Sequence, residues 1–238
     1  MPPRGLAILI GAGPTSGAGV ARILAHPSHG NYAVALLARN PENLMSVAKG
    51  IRESTPNPVA FASIGSHASF KNLKLRVAVY HVKNASRKPF LEETHADFMN
   101  SMETYVGGAM AFSQEVVKLL FAHHGEKALA DGGEKKGTLI LTGTLGAMRT
   151  NTNFAAYGGS RSATRSLSQA LAKEFSPMGI QVVHTIVNGS VIDEESEATR
   201  SGKKISAEAL GKNYLWLSEQ EPSLWTHELD MRPAQEKF

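Results

Sequence analysis

Two patterns alternate along this chain. Apolar runs bounded by glycine, proline or polar turns give way to stretches in which apolar residues recur at spacings of three and four. The first kind reads as buried parallel strands and the second as amphipathic helices. Strands are predicted at Leu6–Ile10, Tyr32–Ala38, Val59–Ile64, Leu75–Tyr80, Gly137–Thr142 and Ile180–Val187, with a short last one near Leu224–Leu229. Helices are predicted over Val20–Leu24, over Pro41–Ile51 with Asn40 as its N-cap, over Phe154–Phe175 and over Ala207–Leu217. Phe98, Met102, Tyr105, Ala109, Phe112, Val116 and Leu119 alternate between steps of four and three, the stripe of one long amphipathic helix. Gly65 to Lys74 leaves only a short third crossover, Ala128 to Lys136 reads as a polar loop, and Asp193 to Lys204 as a charged, mobile segment. Strand following helix throughout predicts an α/β fold, a single-domain doubly wound parallel sheet over residues 1–238 with helices on both faces.

The first strand runs into Gly11-Ala-Gly-Pro-Thr-Ser-Gly-Ala-Gly19, in which Gly13, Gly17 and Gly19 fit the spacing G-x-x-x-G-x-G. Glycines there let the backbone turn sharply and approach a diphosphate, whose charge the start of a helix favours through its free N–H groups. A glycine-rich turn with no ligand is the plainer alternative. At the end of the second strand a dinucleotide fold reads the adenosine ribose, and Ala38-Arg39 stands there in place of an acid. Arginine pairs with the 2′-phosphate of NADP, whereas an acid repels it. A surface arginine at a strand end is the alternative.

Composition narrows the class. The 238 residues are 42% hydrophobic and 19% charged, with a net charge of +4 that argues for neither nucleic acid nor membrane. Without cysteine there is no disulfide framework, thiolate nucleophile or zinc-thiolate site, and no residue is assigned to a metal. The opening apolar run is too short to span a bilayer, so a cytoplasmic location is expected. The basic stretch from Lys71 to Lys88 lacks an aromatic stacking set and reads as a solvated face.

Chemistry gathers late in the chain. Tyr157 and Arg161 are four apart on one helix and share a face. Thr144 follows a strand end thirteen residues earlier. A phenol beside a fixed cation has its pKa lowered, which suits proton donation to an alkoxide that forms as hydride arrives. A tyrosine that merely packs its helix on the sheet is the alternative.

Over nearly its whole length the sequence resembles the short-chain dehydrogenase/reductases, Rossmann-fold enzymes that use NAD(P)(H). The family's T-G-x-x-x-G-x-G appears as Ala12-Gly13-Pro-Thr-Ser-Gly17-Ala-Gly19, and its N-N-A-G as Lys83-Asn84-Ala85-Ser86. Its Y-x-x-x-K appears as Tyr157-Gly-Gly-Ser-Arg161, its catalytic serine falls on Thr144, and its P-G on Asn188-Gly189. The ending Trp225 to Pro233 is similar to that of a fungal and bacterial subgroup. The resemblance implies a catalytic set of Tyr157, Thr144 and Arg161. It implies a cofactor held by Gly13, Thr15, Ser16, Gly17, Gly19, Arg39, Asn84, Ala85, Tyr157, Arg161, Gly189 and Val191. It also implies a homodimer or homotetramer built on the helices around Phe98–Leu120 and Phe154–Phe175.

Four departures bear on function. Arg161 replaces the family's lysine, and Tyr105 stands where the family has a catalytic asparagine whose backbone and water contacts a tyrosine is not expected to make. The position of the usual adenine-contacting aspartate falls near Ile64, and His81-Val-Lys83 reads as a small insertion. The expected function is an NADP(H)-dependent reductase or dehydrogenase acting on a small carbonyl or alcohol with a weakened catalytic set. The alternative is a nucleotide-binding pseudoenzyme or a non-redox scaffold.

Overall fold

The fold was obtained as a computed structural model, which describes residues 2–55, 57, 59–61, 70, 72–84 and 86–236. In chain order the elements are β1 (Leu6–Ile10), α1 (Ser16–Ala25), β2 (Ala33–Leu37), α2 (Pro41–Ser54), β3 (Val59–Phe61) and β4 (Leu75–Tyr80). They continue with α3 (His95–Met102), α4 (Gly108–His124), β5 (Gly137–Gly143), α5 (Ala155–Phe175) and β6 (Ile180–Val187). The last are β7 (Val191–Ile192), α6 (Glu197–Arg200), β8 (Ile205–Ser206), α7 (Ala207–Glu219) and β9 (Glu228–Met231). Contacts gather them into two compact units, the first running to His81 and resuming at Gly189–Trp225 and from Arg232, the second spanning Val82–Asn188 and Thr226–Met231.

In the first unit β3, β2, β1 and β4 lie side by side, all parallel. Ile10 is in register with Leu37 on one side and with Tyr80 on the other. Leu6, Ala7, Leu9, Val34 and Leu36 are fully or almost fully buried, as continuous apolar runs covered on both faces should be. Asn40 caps α2 as expected, its Oδ1 accepting from Asn43 N–H at 3.0 Å, with Pro41 at the first helical position. Helix α1 starts at Ser16, four residues ahead of the apolar pattern that announced it. Its opening Gly-Ala-Gly is poor helix material but is held by α7: a Cβ on Gly19 would lie 2.5 Å from Ala207, and one on Gly211 2.9 Å from Gly19 O.

The segment expected to be mobile is pinned. Val191 and Ile205 pair in a two-stranded parallel ribbon, Ser196 caps α6, and the Asp193 carboxylate pairs with Arg22 of α1. That ion pair raises the Arg22 pKa. Charge composition suggested solvation, and long-range pairing supplied order instead.

In the second unit β5, β6 and β9 are parallel neighbours, with Leu139, Ile140, Leu141, Ile180 and Val182 wholly buried. The last strand is β9 at Glu228–Met231, which corrects the expectation of Leu224–Leu229. Leu224 is 82% exposed in a turn, and Glu228 opens the strand opposite His184. The long amphipathic helix is present in two parts. Thr94 and Asp97 form a capping box at the start of α3, where Lys88 at 2.7 Å and the Thr94 N–H hold the Asp97 carboxyl down at about 2. A π turn over Glu103–Gly107 then inserts an extra residue before α4. The crossover at Gly65–Lys74 and the position near Ile64 lie mostly or wholly outside the described residues. Among the described residues no helix is long and apolar enough to cross a membrane.

Candidate active site

The glycine turn of the first unit is built by backbone. Gly11, at φ +90°, lets the chain leave β1 sharply, and the N–H groups of Gly11 and Ala12 both donate to Leu37 O at the end of β2. Ala18 N–H and Gly19 N–H are taken by Gly13 O and Thr15 O, so the Ser16 and Gly17 N–H groups remain as the donors that a helix start offers to an anion. The three motif glycines answer to different needs. On Gly17 a Cβ would come within 2.9 Å of Gly11 O and the Ala12 Cα, and on Gly19 it would strike α7. On Gly13 it would meet nothing nearer than Gly11 O at 4.0 Å. The fold therefore does not itself demand glycine at position 13, and a ligand lying against the backbone would. A donor pair at a helix start beside an open glycine fits a dinucleotide diphosphate.

Around the turn, Thr15 precedes α1 without a side-chain capping bond, and Arg39 is exposed two residues past β2. Gly189, at φ +145°, packs against Pro233, and Val191 pairs with Ile205. Asn84 is in the second unit, and Ala85 lies outside the described residues.

The second unit brings Thr144, Tyr157 and Arg161 together. Thr144 Oγ1 and Tyr157 Oη are 2.7 Å apart. The Tyr157 ring is clamped, edge-on to Tyr105 at 5.7 Å between centroids and tilted against Phe154 at 5.8 Å. Gly146 gives it room, since a Cβ there would sit 2.9 Å from the ring. Arg161 is buried, only 4% exposed, and its fork faces inward. Nη1 donates to Thr142 O at 2.8 Å and Nη2 to Val82 O at 3.1 Å, while Nε is buried without a partner. The guanidinium carbon lies over the Tyr105 ring, 3.8 Å from its centre, and 5.3 Å from the Tyr157 ring centre. Two of its donors thus serve the end of a strand and a loop.

Tyr105 also departs from expectation. Wholly buried at the π turn, it makes a backbone contact: its Oη accepts from Asn84 N–H at 2.6 Å, and its own carbonyl accepts from Thr164 Oγ1 at 3.2 Å. Burial raises the Tyr105 phenol pKa, against the lowering pull of Arg161. Asn84 Nδ2 adds a bond to Thr104 Oγ1 at 3.2 Å. Residue spacing alone gave no sign of this stack, because the three-and-four apolar rhythm runs on through the π turn, after which the buried positions fall on Ser113, Val116 and Leu120.

Two further groups were missed. One is His81: its N–H continues the strand pairing to Ile10 O at 2.9 Å, and its Nε2 meets Ser16 Oγ at 2.7 Å. Behind Gly143 lies His184, 1% exposed, with Nδ1 3.1 Å from Glu228, which Arg165 grips at 2.6 Å through both Nε and Nη2. A basic residue on α5 ten before the helix end and an acid opening β9 were the only signals for that chain of charges.

Residues 6–201 match the family model described as short chain dehydrogenase. A short-chain dehydrogenase from Rhodopseudomonas palustris is similar in structure at TM-score 0.76 and 23% identity, covering 98% of this chain and 100% of that one. An alcohol dehydrogenase from the archaeon Thermococcus sibiricus, complexed with 5-hydroxy-NADP, superposes at TM-score 0.76 with 16% identity, covering 98% of each chain. L-sorbose reductase from Gluconobacter frateurii, complexed with NADPH and L-sorbose, does so at 0.79 with 14% identity, covering 98% of this chain and 96% of that one. The architecture is thus the Rossmann-type α/β fold with a parallel sheet.

Proposed function

Because the chain belongs to the short-chain dehydrogenase family, a family of oxidoreductases, we propose that it is an NADP(H)-dependent reductase or dehydrogenase acting on a small carbonyl or alcohol. The observation that carries this reading is the Thr144–Tyr157 hydroxyl pair at 2.7 Å, with the tyrosine ring held on three sides. Of the two hydroxyl hydrogens one lies in that bond. With Thr144 as its donor, Tyr157 keeps its own O–H for a substrate oxygen. In the reducing direction the nicotinamide, when bound, supplies a hydride to the carbonyl carbon. Tyr157 then gives its proton to the oxygen, and the Thr144 hydroxyl stays bonded to the tyrosine oxygen that results. Arg161 works from beneath: it anchors Thr142 and Val82 and stacks on Tyr105, fixing the tyrosine in place and offsetting negative charge as it develops.

The cofactor preference rests on Arg39, exposed and with no acid beside it in sequence, which suits a 2′-phosphate. The NADP-type ligands of the similar alcohol dehydrogenase and L-sorbose reductase named above support it. Exposed Phe98, Met99 and Met110 along α3 and α4 support self-association through that face. The inward commitment of Arg161 favours a second reading, a nucleotide-binding scaffold without redox turnover.

A titration with NADPH and NADH, followed by NADPH oxidation against a panel of aldehydes, ketones and dicarbonyls, separates the two. The enzyme reading expects tighter NADPH binding and measurable oxidation. Binding without oxidation by any member of the panel points to the scaffold, and no binding of either nucleotide refutes both.

A further inference from the structure

The residue at the end of β4 faces the glycine turn from the opposite side of β1. His81 N–H bonds Ile10 O, the last residue before the turn, and His81 Nε2 reaches Ser16, the first residue after it, at 2.7 Å. The ring is faced by Ser16 from α1 and by the buried Tyr214 phenol from α7, which it meets edge-on at 6.4 Å between centroids. Both partners of the bond are half-buried, so the pair is neither sealed in the core nor free in solvent.

We propose that His81 is a positioning residue for the cofactor, which sets the Ser16 hydroxyl to donate to the dinucleotide diphosphate whenever Nε2 carries a hydrogen. The inference rests on the reading of the glycine turn as the diphosphate site, and it follows from counting hydrogens. Ser16 has one O–H. With a bare Nε2, that hydrogen is spent on His81, and the hydroxyl turns only lone pairs toward an anion. With hydrogen on Nε2, the imidazole donates to Ser16 Oγ and the hydroxyl hydrogen is released for a phosphate oxygen, next to the Ser16 and Gly17 N–H groups. An anion selects the second arrangement, and a protonated ring adds positive charge beside it. With the hydrogen of the neutral ring on Nδ1, deprotonation bares Nε2, and nucleotide affinity should then fall as pH rises through the histidine range.

NADH is the probe, because its diphosphate does not titrate between pH 5.5 and 8.5 and it lacks the 2′-phosphate, which does. Dissociation constants by fluorescence would be compared across that range in wild type, His81→Gln and Ser16→Ala. Glutamine presents an amide N–H that donates to Ser16 at every pH. Wild-type affinity is expected to drop by about ten-fold from the acid to the alkaline end, on the scale of one hydrogen bond to a charged group. The His81→Gln profile is expected to be flat, and Ser16→Ala to bind weakly with most of the slope gone. A wild-type slope that persists unchanged in His81→Gln overturns the inference, as does a flat wild-type profile. Failure of wild type to bind NADH or NADPH at any pH overturns the diphosphate reading beneath it.

Discussion

The glycine turn and the tyrosine set solve their problems with different materials. The turn offers peptide N–H groups, a helix start and an open glycine, and its side chains do little beyond the Ser16 hydroxyl. The tyrosine set is all side chain: two hydroxyls at 2.7 Å, a ring clamped by two others, and a guanidinium spread over one of them. A backbone site tolerates a change of residue type wherever geometry survives, which is why alanine stands before Gly13 without disturbing the turn. A side-chain site answers a substitution by repacking. Tyr105 and Arg161 do this together, the ring giving the fork a face to lie on and the fork burying itself as a result.

The comparison is broken most forcefully at the glycines. Gly19→Val would drive a branched side chain into the Ala207 backbone, where even a Cβ lies at 2.5 Å, at a cost of about 3 kcal/mol or more. Thermal unfolding should show the loss, or soluble protein should fail to accumulate. Gly13→Ala should leave the unfolding midpoint where it is, because its Cβ meets nothing nearer than Gly11 O at 4.0 Å, yet weaken NADPH binding. If both variants behave alike, the division between packing glycine and ligand glycine is wrong.

On the other side, Arg161→Lys exchanges a two-carbonyl fork and a stacked plane for a point charge. One bond to Thr142 O or Val82 O is lost with the stacking, about 2 kcal/mol together. Restoring the family's lysine alone is therefore expected to lower stability and turnover. Tyr105→Asn/Arg161→Lys should cost less than the sum of the two single changes, since each leaves the other without its partner. Strict additivity by denaturant melts would dissolve the claim that they act as a unit.

Much of this molecule is written locally. The apolar runs announce β1, β2, β4, β5 and β6, Asn40-Pro41 announces a helix start, and the spacing of Tyr157 and Arg161 places them on one helix. What stays hidden depends on partners far along the chain. Strand β9 begins at Glu228 because Arg165 and His184 meet it there, and a hydropathy pattern drawn to Leu224 and Trp225 points a few residues too early. Nothing in the sequence around His81 announces that its N–H pairs with Ile10. The fork of Arg161 looks free until Tyr105 is found beneath it.

Smaller effects sharpen the contrast. Arg39→Asp should weaken NADPH about ten-fold and spare NADH, reversing the order of preference without touching the fold. Unchanged affinities would remove Arg39 from the cofactor site. Acid should weaken the second unit through its charge chain. Burial lowers the His184 pKa below its ordinary 6.5, more than Glu228 raises it, so the unfolded chain takes up that proton first. Stability present above 6.5 is lost as pH falls below it. The Arg165 fork likewise holds the Glu228 carboxyl below 4.5, adding a second loss in stronger acid. Unfolding midpoints should drop modestly from pH 7.5 to 5.5, and a rise over that interval would contradict the assignment.

The central claim is that Tyr157 gives a proton to a substrate oxygen while NADPH gives a hydride. It is tested most directly by single-turnover NADPH oxidation with a reactive dicarbonyl, wild type against Tyr157→Phe. The substitution removes one oxygen and keeps the ring packed against Tyr105, Phe154 and Gly146, so the fold and NADPH affinity should persist while oxidation falls by about 10²-fold or more. Equal rates in the two proteins, with NADPH bound to both, would contradict the account.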